Sequence, residues 1–260
     1  MLEEISKRYP DAPRWAVLAD YSSAEVRYDI AVEPMLRRLA DGWVTRNRYD
    51  AECLNSPILF AADIDFRSDH ATIPCPDIVR QLCGSGDMTG ALTIEPLRLV
   101  EDRLRQLLAD PVGEQARSWA RYEVENGSDF GPETALLLLE RLGHFEKLGF
   151  RLYESRNGFR VVCSTMPFRL HTETQKGIAW HLQSRLLCDP AYQRICKVQG
   201  LFRLRLTPKP WRNRSGAARA ARYVGTYGSA EIHPLLAPLI AEHDRVACID
   251  QFGRADAELA

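Results

Sequence analysis

Two carboxylates stand two residues apart at the end of the run Pro57-Ile-Leu-Phe-Ala-Ala-Asp63-Ile-Asp65-Phe66. The run reads as a strand, along which successive side chains point to opposite faces. Phe60, Ala62, Ile64 and Phe66 then share the core face, and Asp63 and Asp65 point together out of it. Carboxylates this close repel each other, and a divalent cation relieves the repulsion. Magnesium and manganese take such all-oxygen sets, completed by water and phosphate. The plainer reading is an edge strand whose outer face is merely wet, and the pair alone leaves both readings open.

The run Leu201-Phe-Arg-Leu-Arg-Leu206 repeats the pattern with the opposite sign. Phe202, Leu204 and Leu206 share one face, which leaves Arg203 and Arg205 side by side on the other. Paired guanidiniums suit capture of phosphate oxygens; salt bridges to surface carboxylates are the alternative. A third strand, Phe159–Ser164, sets Arg160, Val162 and Ser164 on one side. Were all three strands in one sheet, acids and cations would converge as a metal-bound nucleoside triphosphate requires.

Charge is segregated along the chain although the net value is only −1. No acidic residue lies between Asp189 and Glu231, an interval holding Arg194, Lys197, Arg203, Arg205, Lys209, Arg212, Arg214, Arg219 and Arg222. Tyr192, Phe202, Trp211, Tyr223 and Tyr227 interleave with them. Cations for phosphates and aromatic faces for bases make a nucleic-acid surface, while a solvated basic face over a core is the other reading.

The elements that must position these residues are mixed. Apolar spacing predicts helices over 32–43 (with Pro34 in the first turn), 95–109, 132–142, 172–187, 190–198 and 233–243. A hairpin joins 150–154 to 158–164 through Asn157-Gly158, and further strands are predicted over 222–227 and 246–250. Strict β-α-β alternation is absent. The expectation is one α+β domain over 1–260, with an N-terminal helical extension (1–56), a core (57–228) and a C-terminal helix and strand (229–260).

With 260 residues, 45% of them hydrophobic and 27% charged, the chain can bury a core. No apolar run reaches the ~18–20 residues that span a bilayer. The acidic residues of the first segment do not suit a signal peptide, so a cytoplasmic protein without membrane contact is expected. Seven cysteines without a C-x-x-C pair read as reduced, mostly buried thiols, which disfavours zinc. A P-loop and a nucleophile elbow are both absent. The six histidines show no metal spacing and read as surface or helix-face residues.

In order and type these motifs resemble the archaeo-eukaryotic primase superfamily, the catalytic domain of primases and primase-polymerases. Ala62-Asp63-Ile64-Asp65 resembles its first acidic strand. Tyr153-Glu-Ser-Arg-Asn-Gly-Phe-Arg160-Val-Val resembles the hairpin that carries its Ser-x-His-like motif, with Arg160 where the family usually has histidine. His171 is then the histidine to test as a stand-in. Asp189, in Leu187-Cys-Asp-Pro, matches the third acid, although Asp-Pro is equally a helix start that Asp caps. Phe202-Arg-Leu-Arg-Leu-Thr-Pro-Lys-Pro-Trp resembles the basic strand downstream.

The resemblance implies a palm-like, RRM-related mixed sheet flanked by helices. It also implies an enzyme that adds nucleotides from NTP or dNTP on a single-stranded template. Asp63, Asp65 and Asp189 would hold Mg2+ or Mn2+, and Arg160, Arg203, Arg205 and Lys209 would meet the triphosphate. Trp211, Arg212, Arg214 and Arg219 would track nucleic acid, and a helicase or other replication protein would be a partner. The competing expectations are a catalytically inactive nucleic-acid-binding module on the same fold and a metal-dependent nuclease.

Overall fold

The computed structural model describes residues 17–20, 27–30, 33–47, 50–65, 96–126, 131–155, 158–208 and 220–248. Strands β1 (Val17–Asp20) and β2 (Arg27–Ile30) pair antiparallel. Next come β3 (Met35–Leu39), β4 (Gly42–Arg46), β5 (Glu52–Ser56) and β6 (Ala61–Asp65). Helices α1 (Pro96–Ala109), α2 (Glu114–Glu125) and α3 (Pro132–Arg141) follow, then the hairpin β7 (Gly149–Ser155) and β8 (Gly158–Cys163). Helices α4 (Glu173–Arg185) and α5 (Pro190–Gln199), strands β9 (Phe202–Arg205) and β10 (Arg222–Gly228), and helix α6 (Ala237–Ala247) complete the order.

The protein is α+β, with two four-stranded antiparallel sheets of order β3-β4-β5-β9 and β10-β7-β8-β6. This corrects two expectations. The described part of 1–56 is built of strands, not helix: Ala40-Asp41 is a two-residue turn, and Leu39 pairs with Gly42. A Cβ on Gly42 would lie 2.8 Å from the Asn55 carbonyl oxygen, so the turn needs glycine for close backbone approach. The three charged strands also do not share one sheet: β6 and β8 are neighbours in the second, and β9 lies in the first. At the other end, Val246 and Ala247 continue α6 where a strand was expected over 246–250; residues 249 and 250 lie outside the described residues.

Only residues 57–60 separate β5 from β6, so the chain steps directly from one sheet into the other. Phe60 sits at the step, fully buried, with its ring 6.2 Å from Phe150 of β7, 4.9 Å from Phe168 and 5.5 Å from Phe202 of β9. One aromatic cluster thus joins both sheets, which fixes where β6 and β9 lie relative to each other. Thr172 caps α4 with a capping box: its hydroxyl accepts from Gln175 N, and the Gln175 side chain accepts from Thr172 N.

Five thiols, those of Cys53, Cys163, Cys188, Cys196 and Cys248, are free and buried, as the spacing led us to expect. Among the described residues no helix is long and apolar enough to cross a membrane.

Candidate functional site

Among the described residues, strand β6 is the edge of its sheet, paired only with β8. Its open side is met by the end of α4 and the α4–α5 connection: Gln183 Nε2 donates to Ala61 O at 2.8 Å, and Asp189 N donates to Asp63 O at 2.8 Å. These bonds satisfy an edge that would otherwise be bare, and they set the first residue of α5's turn beside the acidic pair. Asp63 and Asp65 of β6 are therefore met by Asp189 from a distant segment. Asp189 is also the cap of α5, accepting from Ala191 N at 2.8 Å, so both sequence readings of it hold at once. The backbone of Tyr192 adds a second hydrogen bond to the same carboxylate, which keeps lone pairs beyond these two bonds.

Asp65 lies opposite Gly158, which offers no side chain across the strand pair. A Cβ on Gly158 would stand 1.9 Å from the Ile64 carbonyl oxygen, so close packing of the hairpin against β6 depends on that glycine. The Asp65 side chain keeps an exposed edge, yet protein crowds around it. That desolvation, with the charges of Asp63 and Asp189 added, pushes its carboxyl up from 3.8 to about 6; Arg205 and Arg160 pull in the opposite direction. Burial also raises Asp189, helped by Asp63 and opposed by the bond from Ala191. The acids crowd one another without closing up: among the described residues, the one trio of His, Cys or acidic side chains with ligand atoms all within 4.8 Å is His243, Asp244 and Cys248.

Asp63 has a partner that sequence reasoning assigned elsewhere. Arg160, directly opposite on β8, donates from Nε to Oδ1 at 2.7 Å and from Nη2 to Oδ2 at 3.2 Å. Its guanidinium is buried, and its Nη1 donates across to the Arg205 carbonyl of the other sheet at 2.9 Å. Arg160, expected among the phosphate contacts, is thus turned onto Asp63. Arg203 is likewise committed, to both oxygens of Glu33. Arg205 has no acidic partner among the described residues and acts on Asp65 through its charge, which makes it the cation open to a ligand. Lys209, Trp211, Arg212, Arg214 and Arg219 lie outside the described residues. His171, the histidine singled out as a stand-in, is exposed at the start of α4 and donates its backbone N–H to Gln175.

Behind Arg160 stands a network that sequence reasoning missed. Arg160 Nη1 is 3.3 Å from His243 Nε2, and His243 Nδ1 is 3.1 Å from Asp244 Oδ1. Asp244 also accepts from the Tyr153 hydroxyl at 2.7 Å and from Arg151 Nη2 at 2.8 Å. Arginine can only donate, so His243 accepts at Nε2 and carries its proton on Nδ1, aimed at Asp244. With both nitrogens of His243 and both oxygens of Asp244 occupied and two guanidiniums adjacent, His243 and Asp244 form a hydrogen-bond relay with Arg160, Tyr153 and Arg151, an arrangement poorly suited to a cation. One signal was available: Leu239, His243 and Ala247 recur every four residues along α6, which puts His243 on the buried stripe.

Burial holds the His243 imidazole below its ordinary 6.5; Asp244 opposes this and Arg160 reinforces it. A base with a depressed folded value charges more readily when unfolded. Its contribution to stability is therefore complete above about pH 6.5 and is lost as pH falls below that. Urea midpoints measured from pH 7.5 to 5 should drop in wild type and flatten in His243→Gln.

No protein-family model, curated protein or solved structure matches this chain.

Proposed function

We propose that the chain is a metal-dependent nucleotidyltransferase of primase-polymerase type. The observation that carries this reading is the convergence of Asp63, Asp65 and Asp189 beside Arg205, which has no acidic partner among the described residues, with Asp65 pushed up to about 6. Repelling carboxylates with oxygens to spare are a donor set for a hard divalent cation. Asp65 and Asp189 would hold Mg2+ or Mn2+, and Asp63 would join them through the lone pairs that Arg160 leaves, since a carboxylate has about four acceptor sites. The bound ions would supply activation of a strand's 3′-hydroxyl and charge relief for the leaving pyrophosphate.

The chain's own residues have three tasks in this reading. Arg205 takes triphosphate charge, Arg160 orients Asp63, and the segment carrying Lys209, Trp211, Arg212, Arg214 and Arg219 meets phosphates and template. Oxygen attack at the α-phosphorus forms the new phosphodiester as the bond to pyrophosphate breaks, and the hydroxyl proton leaves to solvent. A palm-like, RRM-related sheet belongs to this proposal through the motif order alone, since the second sheet is antiparallel throughout, in the order β10-β7-β8-β6. A cytoplasmic site of action and a helicase or other replication partner belong to the same proposal.

A second reading has its own observation. The bidentate Arg160–Asp63 pair already neutralises one of the acids, which suits a nucleic-acid-binding module whose chemistry is lost. Two measurements separate the readings. Manganese should raise the melting temperature above about pH 6, where Asp65 is ionised, and not below it. Labelled nucleotide should be incorporated on a single-stranded template in Mg2+ or Mn2+. Strand shortening in place of extension would mean nuclease chemistry, and template binding without metal response would mean the binding module.

A further inference from the structure

Beyond the far end of the second sheet, a groove of about 510 Å³ opens where β8 runs out and β7 begins. Gly158–Cys163 lies between it and Asp65, roughly 20 Å of strand at ~3.3 Å per residue. The volume falls in the ~300–1,000 Å³ range of small-molecule sites. Met166 and the buried Phe168 give it an apolar wall, and no carboxylate among the described residues lines it.

Four polar side chains along the groove have only donors left to give. Lys147 and Arg169 are exposed and have no acidic partner among the described residues. Gln175 spends its carbonyl oxygen on the backbone N–H groups of His171 and Thr172, which leaves its NH2. His233 accepts from Leu235 N at Nδ1, at 3.2 Å, which fixes the neutral ring with its proton on Nε2. Donors of this kind, two of them cationic, call for an anion, and the apolar lining of Met166, Leu139 and Ile178, backed by the buried Phe168, calls for a flat apolar ring.

We propose that this groove binds a nucleoside monophosphate unit, its base against Met166 and Ile178 and its phosphate against Lys147 and Arg169. The groove is separate from the acidic site and would hold its ligand without metal.

Isothermal titration in EDTA tests it, with AMP, inorganic phosphate and a 5′-phosphorylated single-stranded oligonucleotide as probes. AMP should bind saturably and at least tenfold more tightly than phosphate. The surface variant Lys147→Ala/Arg169→Ala should weaken AMP by tenfold or more, whereas Asp65→Asn should leave its affinity within twofold. The Met166 methyl resonance, assigned with Met166→Leu, should shift as AMP is added. Tighter binding of the oligonucleotide would assign the groove to a strand, and tighter binding of AMP to a free nucleotide. No saturable AMP binding, equal affinity for AMP and phosphate, an unmoved Met166 methyl, or loss of binding in Asp65→Asn would each overturn the proposal. Loss of incorporation activity alone would count against the acidic site and leave the groove untouched.

Discussion

Arg160→Ala should cost about 3–5 kcal/mol of stability, the range for removing one partner from a buried ion pair. Four groups lose their donor at once: both oxygens of Asp63, the Arg205 carbonyl and His243 Nε2. The Arg205 carbonyl belongs to the other sheet, so the loss is felt in both. Asp63→Ala should be costly too, because it strands a buried guanidinium, and the double variant should cost less than the two singles combined. Urea unfolding of the four proteins decides it. A midpoint for Arg160→Ala within a few tenths of a kcal/mol of wild type would mean that the network holds nothing in place. The same energetics make Asp63 a poor probe of chemistry, since activity lost in its variants mixes catalysis with folding.

Asp65→Asn separates the two effects. The carboxyl of Asp65 is pushed up to about 6 in the folded protein, so ionising it costs the folded state. That cost is absent below about pH 4, grows as pH rises to 6 and is constant above, so stability falls with rising pH through this window. The amide removes the cost. With the discount that solvent at an exposed side chain imposes, Asp65→Asn should gain on the order of 1 kcal/mol at pH 7 and nothing at pH 4. Under the proposed function the same variant should lose roughly 100-fold or more in metal-dependent incorporation, because even residues that only support a metal ligand cost 10–100-fold when removed. The manganese-induced rise in melting temperature should vanish with it. A variant that is more stable and equally active would remove Asp65 from the mechanism.

What the sequence made legible follows from period and sign. Alternation along residues 57–66 sufficed to put Asp63 and Asp65 on one face away from Ala62 and Ile64, which are fully buried. The helices beginning at Pro96, Pro132, Thr172 and Pro190 were readable from their caps and apolar spacing. The hairpin of β3 and β4 was not, because Met35, Leu36, Leu39 and Trp43 fit a helical face as well as two short strands. Asp41-Gly42 was the turn signal that should have arbitrated. Helix α2 escaped notice because its face is largely polar, with Trp119 and Tyr122 exposed.

The site was harder to read than the fold. Charge pattern could nominate Arg160 and Arg203 but not say whom they serve, since a cation on a strand meets phosphate or carboxylate according to what lies across from it. That is fixed by register, which sets Arg160 against Asp63, and by the approach of Glu33 to Arg203. The part played by α6 rests on contacts far apart in the chain, such as Tyr153 with Asp244, 91 positions away, and no local pattern encodes them.

The buried thiols offer a clock for how this architecture comes apart. Burial pushes the thiols of Cys163 and Cys188 up, and that of Cys196 up to about 12, so at ordinary pH none presents a reactive thiolate while the fold is closed. A modifying reagent can reach each sulfur only during an opening event, and its rate of uptake counts those events. Cys53 sits on β5 and Cys163 on β8, while Cys188 immediately precedes Asp189. Three sulfurs therefore time, separately, the first sheet, the second sheet and the loop that brings the third acid to the other two.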